Sequence, residues 1–376
     1  MKTKLLLSLA ISTPLLITGC LDTSNDNEAN ANNISAVTVG AAADYSSGSM
    51  AIIDATDYTA TTELNATGSD IDVSISQDSI FLINRGDANI TKYSIHAPTT
   101  PIWQCSTGDN SNPYQVIQVS NSKAYVLRYD ANEIWQIDPS IASSEQCATN
   151  FKTGEIDLSS FDGDSPNMSH AVLVGDKLFV AIQRLTGWTV DKDAQVVVID
   201  TKTNEIVDTD PKTEGIQAIT LNSRNTNKMV YSAELNKIFV QNTGKYEAWD
   251  ESTPAEKGGI DVINPVDYTV TAFVDDTTIK QTSDISIASS TKGYFVSYEG
   301  WGDNTVYEFN PSNLTITPTK IETSDLQNTA INTIATYNNQ LWVSASGGIN
   351  IFNETNGLVQ NINTEMNPSR ILFIEN

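Results

Sequence analysis

The chain has 376 residues, and 46 acids stand against 21 bases for a net charge of −25. Nucleic acid is excluded as a partner, because binding it needs clustered Lys and Arg, and a surface this acidic repels anionic lipid and other polyanions. No run beyond the first residues reaches the roughly 20 apolar residues that a membrane-spanning helix requires.

The chain opens with Lys2 and Lys4, an apolar run from Leu5 to Ile17 broken by Pro14, and the small residues Thr18 and Gly19 before Cys20. Residues 1–19 therefore read as an export signal, whose removal takes two lysines and no acid. Ile17-Thr18-Gly19-Cys20 resembles the lipobox of bacterial lipoproteins. That resemblance implies acylation of Cys20 and stable membrane anchoring through several acyl chains. Leu21, rather than Asp, after the cysteine implies sorting to the outer membrane. Residues 20–35 are the lipidated cysteine and a tether, since 21–35 are polar, low in complexity and free of aromatics, and so cannot bury enough apolar surface to fold. With Cys20 acylated, Cys105 and Cys147 remain in an exported chain, where disulfides persist. They are expected to pair, although spacing alone leaves two separate thiols open.

From residue 36 onward one pattern recurs. Apolar-aromatic-apolar runs appear at Ile80-Phe81-Leu82, Ala124-Tyr125-Val126, Leu178-Phe179-Val180, Ile238-Phe239-Val240, Tyr294-Phe295-Val296 and Leu341-Trp342-Val343. Each is followed by an alternating run that usually ends in Asp or Asn, as at Asp138, Asp200, Asn264, Asn310 and Asn353. A β-rich segment precedes each aromatic run and another follows each Asp or Asn turn. Four strands per unit at roughly 45 to 60 residues match one propeller blade per unit. The first unit, Ala36 to Ala43 and then Met50 to Asp54, lacks its opening strand, while the tail carries an unmatched one, Ile371 to Ile374. The tail strand is expected to complete the first blade, closing an all-β, seven-bladed propeller over residues 36–376 and leaving no exposed edge.

The repeats resemble the YVTN-type family of β-propellers, best at Tyr125-Val126 with Ile137-Asp138 and at Phe179-Val180 with Val198-Ile199-Asp200-Thr201. That resemblance spans essentially 36–376 and implies a fold rather than an activity.

Loops between second and third strands share one end of a propeller with the loops that enter each blade. Two adjacent blades carry long ones, Gln183 to Ala194 and Gln241 to Gly258. Trp188, Tyr246, Trp249, Tyr298 and Trp301 fall in loops at this end, joined by Arg85, Arg128 and Arg184. Aromatics supply rigid apolar area with a polar tip, and Arg pairs with carboxylate or phosphate and stacks on rings, so these residues are candidates for ligand binding. The competing reading is that the tryptophans cap small loop cores and the arginines pair with Asp87, Asp130 and Asp191. His170 is placed near the channel mouth, where an isolated histidine is more often a hydrogen-bonded structural residue than a base. His96 is the only other histidine, and no Cys pair has ligand spacing, so no transition metal and no cofactor is expected. Asp162-Gly163-Asp164 and Asp109 to Asn112 are oxygen-rich turns without the ligand order of a calcium loop. A nucleophile elbow, a Walker loop and a dinucleotide fingerprint are all missing.

These features point first to a non-enzymatic binding module of the cell envelope. It would capture a small molecule or a protein at the loop-rich end and feed an outer-membrane transporter, as a monomer or within an outer-membrane complex. A lactonase- or lyase-type enzyme working through His170 or inner acidic residues is the alternative, and an envelope assembly factor is the third.

Overall fold

The computed structural model describes residues 35–374 except 164, 246–255, 280, 301–302 and 322–330, and describes 299, 300, 303 and 318–320 by backbone alone. The tether and Cys20 lie outside the described residues. Seven antiparallel sheets follow one another along the chain.

Blade 1 orders its strands Asn367–Ile374, Ser35–Ala41, Gly48–Asp54 and Ala60–Thr67. Blade 2 runs Ile71–Ser76, Ser79–Asn84, Asn89–Ser94 and Ala97–Ser106. Blade 3 runs Pro113–Ser120, Lys123–Arg128, Glu133–Ile137 and Lys152–Asp157. Blade 4 comprises Met168–Val174, Lys177–Ile182, Gln195–Asp200 and a two-residue fourth strand, Ile206–Val207, with Ile219–Thr220 also paired to its third strand. Blade 5 runs Thr226–Ser232, Lys237–Asn242, Gly259–Ile263 and Val270–Asp275. Blade 6 runs Thr282–Ile287, Gly293–Gly300, Asp303–Asn310 and Thr315–Ile321, and blade 7 Ile334–Tyr337, Gln340–Ala345, Gly348–Phe352 and Leu358–Asn363.

The sheets form a ring. The first strand of each blade packs on the first strand of the next, and that of blade 7 packs on Asn367–Ile374, which in turn packs on Ile71–Ser76. First strands therefore surround the axis. The tail strand closes the circle by pairing antiparallel with the head, from Ser35 opposite Ile374 to Ala41 opposite Asn367. The seam begins at Ser35, one residue before the sequence boundary. Gly40 is required there, since a Cβ on it would lie 2.1 Å from the Asn367 carbonyl oxygen.

Apolar residues collect in seven clusters, each across one seam between neighbouring blades. Val37 and Met50 of blade 1 meet Val73 and Leu82 of blade 2, for example, and Trp342 and Ile349 of blade 7 meet Ile53 and Ile371 of blade 1. The aromatic of every repeat, Phe81, Tyr125, Phe179, Phe239, Phe295 and Trp342, is fully buried. Second strands are covered on both faces, which is why those runs read as continuously apolar rather than alternating. Each such side chain stabilises its seam by about 1.5–3 kcal/mol.

The recurrent Asp or Asn has a local cause. Its side chain accepts the N–H two residues on, as in Thr56 to Asp54 (2.7 Å), Lys202 to Asp200 (2.8 Å), Val266 to Asn264 (3.0 Å) and Ser312 to Asn310 (2.9 Å). The residue four after each of these, Tyr58, Asn204, Tyr268 or Leu314, then takes a positive φ of 57–63° and donates its N–H to the backbone carbonyl of the Asp or Asn. This side-chain turn stops the third strand and returns the chain for the fourth.

A short helical segment, Ser144–Gln146 and Cys147–Phe151, interrupts blade 3 before its outer strand. It carries Cys147 to Cys105 on the outer strand of blade 2, where the two form a disulfide with Cα atoms 5.5 Å apart.

Candidate functional site

Charged residues occur on the strands around the axis, and irregularities in those strands aim them. A one-residue register shift falls between Pro113 and Gln115, Met168 and His170, Thr226 and Lys228, and Thr282 and Asp284, and another precedes Arg370 on the closing strand. A bulge bends its strand and redirects the next side chain, so five first strands turn a polar residue toward the axis.

The outcome is a funnel of about 510 Å³ at the end where the first strands begin, to which all seven blades contribute. Tyr45 and Asp70 stand at its rim with Arg85 and Tyr114, and Asp72, Lys228, Asp284 and Arg370 form its floor. A second space of about 260 Å³, lined by Gln115, His170 and Arg370 among others, shares Arg370 with the funnel.

Two ion pairs cross between blades at the floor. Arg370 of blade 1 holds Asp72 of blade 2 through Nε (2.9 Å) and Nη2 (2.6 Å). Lys228 of blade 5 holds Asp284 of blade 6 at 2.7 Å and donates to the Ile334 carbonyl of blade 7 at 3.1 Å. The carboxylates also accept strand N–H groups: Val73 on Asp72, and Ile285 and Ile334 on Asp284, each at 2.7 Å. Burial lowers the Lys228 pKa despite Asp284 beside it. Burial also opposes the charge of Arg370, but Asp72 and then Asp284 outweigh it and raise that pKa. His170 is pushed well below the usual histidine range by burial, Arg370 and Lys228 in that order, so its ring is neutral. Its Nδ1 accepts the Met229 N–H at 3.4 Å, which leaves the proton of the neutral ring on Nε2.

The residues singled out by sequence do not gather in one place. Arg85 is at the funnel rim, paired with Asp70 at 2.9 Å, donating to Asn112 at 3.1 Å and stacked 3.9 Å above the Tyr114 ring. Arg128 is buried between blades, with Glu133 at 3.1 Å, the Thr107 carbonyl at 2.8 Å and the Trp135 ring at 4.2 Å, and it lines neither space. Arg184 donates to the Asp193 carbonyl at 3.3 Å and lies 3.9 Å from Asp162. The arginines thus do have acidic neighbours, but Asp70, Glu133 and Asp162 replace the sequence-adjacent Asp87, Asp130 and Asp191. These partners come from the segment entering blade 2, the next strand of the same hairpin and the segment entering blade 4, respectively.

Trp188 is 85% exposed and borders a separate space of about 580 Å³ with Asp130, Asp162 and Lys192. It caps no loop core. Tyr298 is partly buried on the second strand of blade 6, where its N–H donates to the Gln281 carbonyl at 3.2 Å. Tyr246, Trp249 and Trp301 lie outside the described residues. In the oxygen-rich turns, Asp162 binds Lys192 through both oxygens at 2.9 Å, and Asn112 bridges Arg85 and Asp130. Among the described residues, no three His, Cys, Asp or Glu side chains converge as a metal-ligand group.

Sequence reasoning missed the floor itself. Its signal is a charge set directly before an apolar residue in an opening strand, as in Ile71-Asp72-Val73, Asn227-Lys228-Met229, Ser283-Asp284-Ile285 and Ser369-Arg370-Ile371.

No protein-family model matches the sequence, and no curated protein sequence matches it. Solved structures do. The chain is similar to apo AztD from Citrobacter koseri at 12% identity and a TM-score of 0.55, over 91% of this chain and 98% of that one. It is similar also to virginiamycin B lyase from Staphylococcus aureus at 13% identity and a TM-score of 0.54, over 84% and 92%. A third likeness is to Saccharomyces cerevisiae Sqt1 at 10% identity and a TM-score of 0.53, over 88% and 86%. At such identities the likeness is one of fold, and that fold is the β-propeller.

Proposed function

We propose that the chain is an exported lipoprotein, acylated at Cys20 and held at the outer membrane, whose propeller of YVTN-type repeats binds a small molecule in the axial funnel. The leader residues motivate export, and the Cys105–Cys147 disulfide supports it, because such bonds persist in oxidising compartments. The funnel carries the binding reading. Its volume is that of a small-molecule site, and its polar groups converge from every blade. AztD and the lyase share the fold alone, so their names do not fix the ligand. Delivery to an outer-membrane transporter is the role that anchoring would serve.

The lyase or lactonase reading requires a base, and His170 suits it poorly. Its Nδ1 lone pair is already used on Met229 and its Nε2 carries the proton. Native mass spectrometry of the full chain purified from its own cells tests the binding reading. A bound small molecule should be seen in the wild type and be lost from Arg85→Met, which removes the cation at the rim. Protein that emerges empty in both forms, and that binds nothing in the funnel on later titration, rejects the proposal.

A further inference from the structure

The hydrogen-bonding capacity of the funnel floor is unevenly spent. Arg370 has five N–H groups, and the two that meet Asp72 leave three without a partner among the described residues. Lys228 has three, of which Asp284 and the Ile334 carbonyl take two. Ser169, skipped by the bulge before His170, lines the funnel at 4% exposure, and its hydroxyl has no partner among the described residues. A buried hydroxyl left in that state is costly, so a partner beyond the described residues is expected to satisfy it. The carboxylates differ, because Asp72 and Asp284 are tied to strand N–H groups as well as to their cations. The unused donors thus belong to residues that line the funnel, while three of the four oxygens of Asp72 and Asp284 accept strand N–H groups.

We infer that the funnel floor is a site for a small oxyanion, a carboxylate or phosphoryl group, held by the free edge of Arg370, the remaining donor of Lys228 and the hydroxyl of Ser169. Arg370 presents its planar N–H edge, which suits either group, and Lys228 adds a point charge. Burial first, and then these same two cations, keep His170 neutral beside the site. Since the overall field repels anions, affinity has to come from these direct contacts. The inference rests on the funnel-binding reading and gives it a ligand class.

The test is calorimetric titration of the full chain with malonate and, separately, with inorganic phosphate, with glucose as a neutral comparison. At least one anion should bind saturably, and which one does so separates a carboxylate ligand from a phosphoryl one. Lys228→Gln with Asp284→Asn removes both charges of one pair together and should weaken that binding about tenfold, the usual effect of losing a hydrogen bond to a charged group. Ser169→Ala should weaken it several-fold while the thermal melt is unchanged, and it carries the test alone if the double variant does not fold. Equal anion affinity in the wild type and in Ser169→Ala overturns the inference. If neither anion binds but a neutral or cationic molecule co-purifies in the funnel, the oxyanion assignment fails and the binding module stands. If no probe binds and nothing co-purifies, both fail.

Discussion

His170 gives the fold a pH dependence that can be isolated with one substitution. In the folded chain, burial, Arg370 and Lys228 keep it from taking a proton, whereas in the unfolded chain it titrates near 6.5. The folded pKa is thus the depressed one. Below pH 6.5 the unfolded state binds a proton that the folded state refuses, so stability falls with acidification and recovers as pH rises. From pH 7.5 to 5.5 a ring that stays neutral when folded costs about 1.4 kcal/mol. His170→Gln removes the titration and keeps an acceptor for the Met229 N–H. Urea unfolding at the two pH values, followed by fluorescence of the buried Trp103 and Trp342, should show the wild type losing about 1.4 kcal/mol more than the variant. Carboxylates and His96 are common to both proteins and cancel in the difference. An identical loss in the two would mean that His170 is protonated in the folded channel and that the cations do not act on it as described.

Three further perturbations address the ring and the location of the site. Replacing Cys105 and Cys147 by serine opens a cross-link between residues 42 apart in sequence, and chain entropy sets the loss at about 4 kcal/mol in denaturant unfolding; an unchanged midpoint would show that the bond contributes nothing. Gly40→Ala drives a methyl toward the Asn367 carbonyl and should cost about 1–3 kcal/mol, with faster proteolysis at the tail, whereas a stability equal to wild type would argue against the close approach of head and tail. Trp188→Ala, at a side chain 85% exposed, should alter stability by less than about 0.5 kcal/mol and leave funnel binding intact. A large loss of ligand would instead move the site out to the blade 4 loop.

What the sequence made legible follows from which physical constraint acts on each part. Second strands are buried on both faces, so Phe81, Tyr125, Phe179 and their counterparts stand out as apolar runs. Asp54, Asp200, Asn264 and Asn310 are legible for a different reason, since their side chains make the turn itself. Closure was legible by counting, because Ile371 to Ile374 had no partner other than the head. The funnel was not, and bulges are the cause. A strand read with strict alternation assigns each residue to a face, but a one-residue shift before His170, Lys228 or Asp284 resets the assignment. The long loops carry no period, so Trp188 and Arg184 could be assigned to the end where the first strands begin without any indication of which way they turn.

The placement of the charges also separates stability from function. The seven seams hold the apolar clusters, and the ring closes through strand pairing at blade 1. Arg370–Asp72 and Lys228–Asp284 add little to that. A buried ion pair costs several kcal/mol per ion in lost hydration, and exchanging it for apolar residues of similar volume is often neutral or stabilising. By that argument Ile or Val at these positions would hold the ring as well as the ion pairs do, and the adjacent Val73, Ile285 and Ile371 are buried apolar residues. On the proposed reading, four charges around the axis and five strands bulged to turn polar side chains toward it serve to hold a ligand rather than to hold the fold.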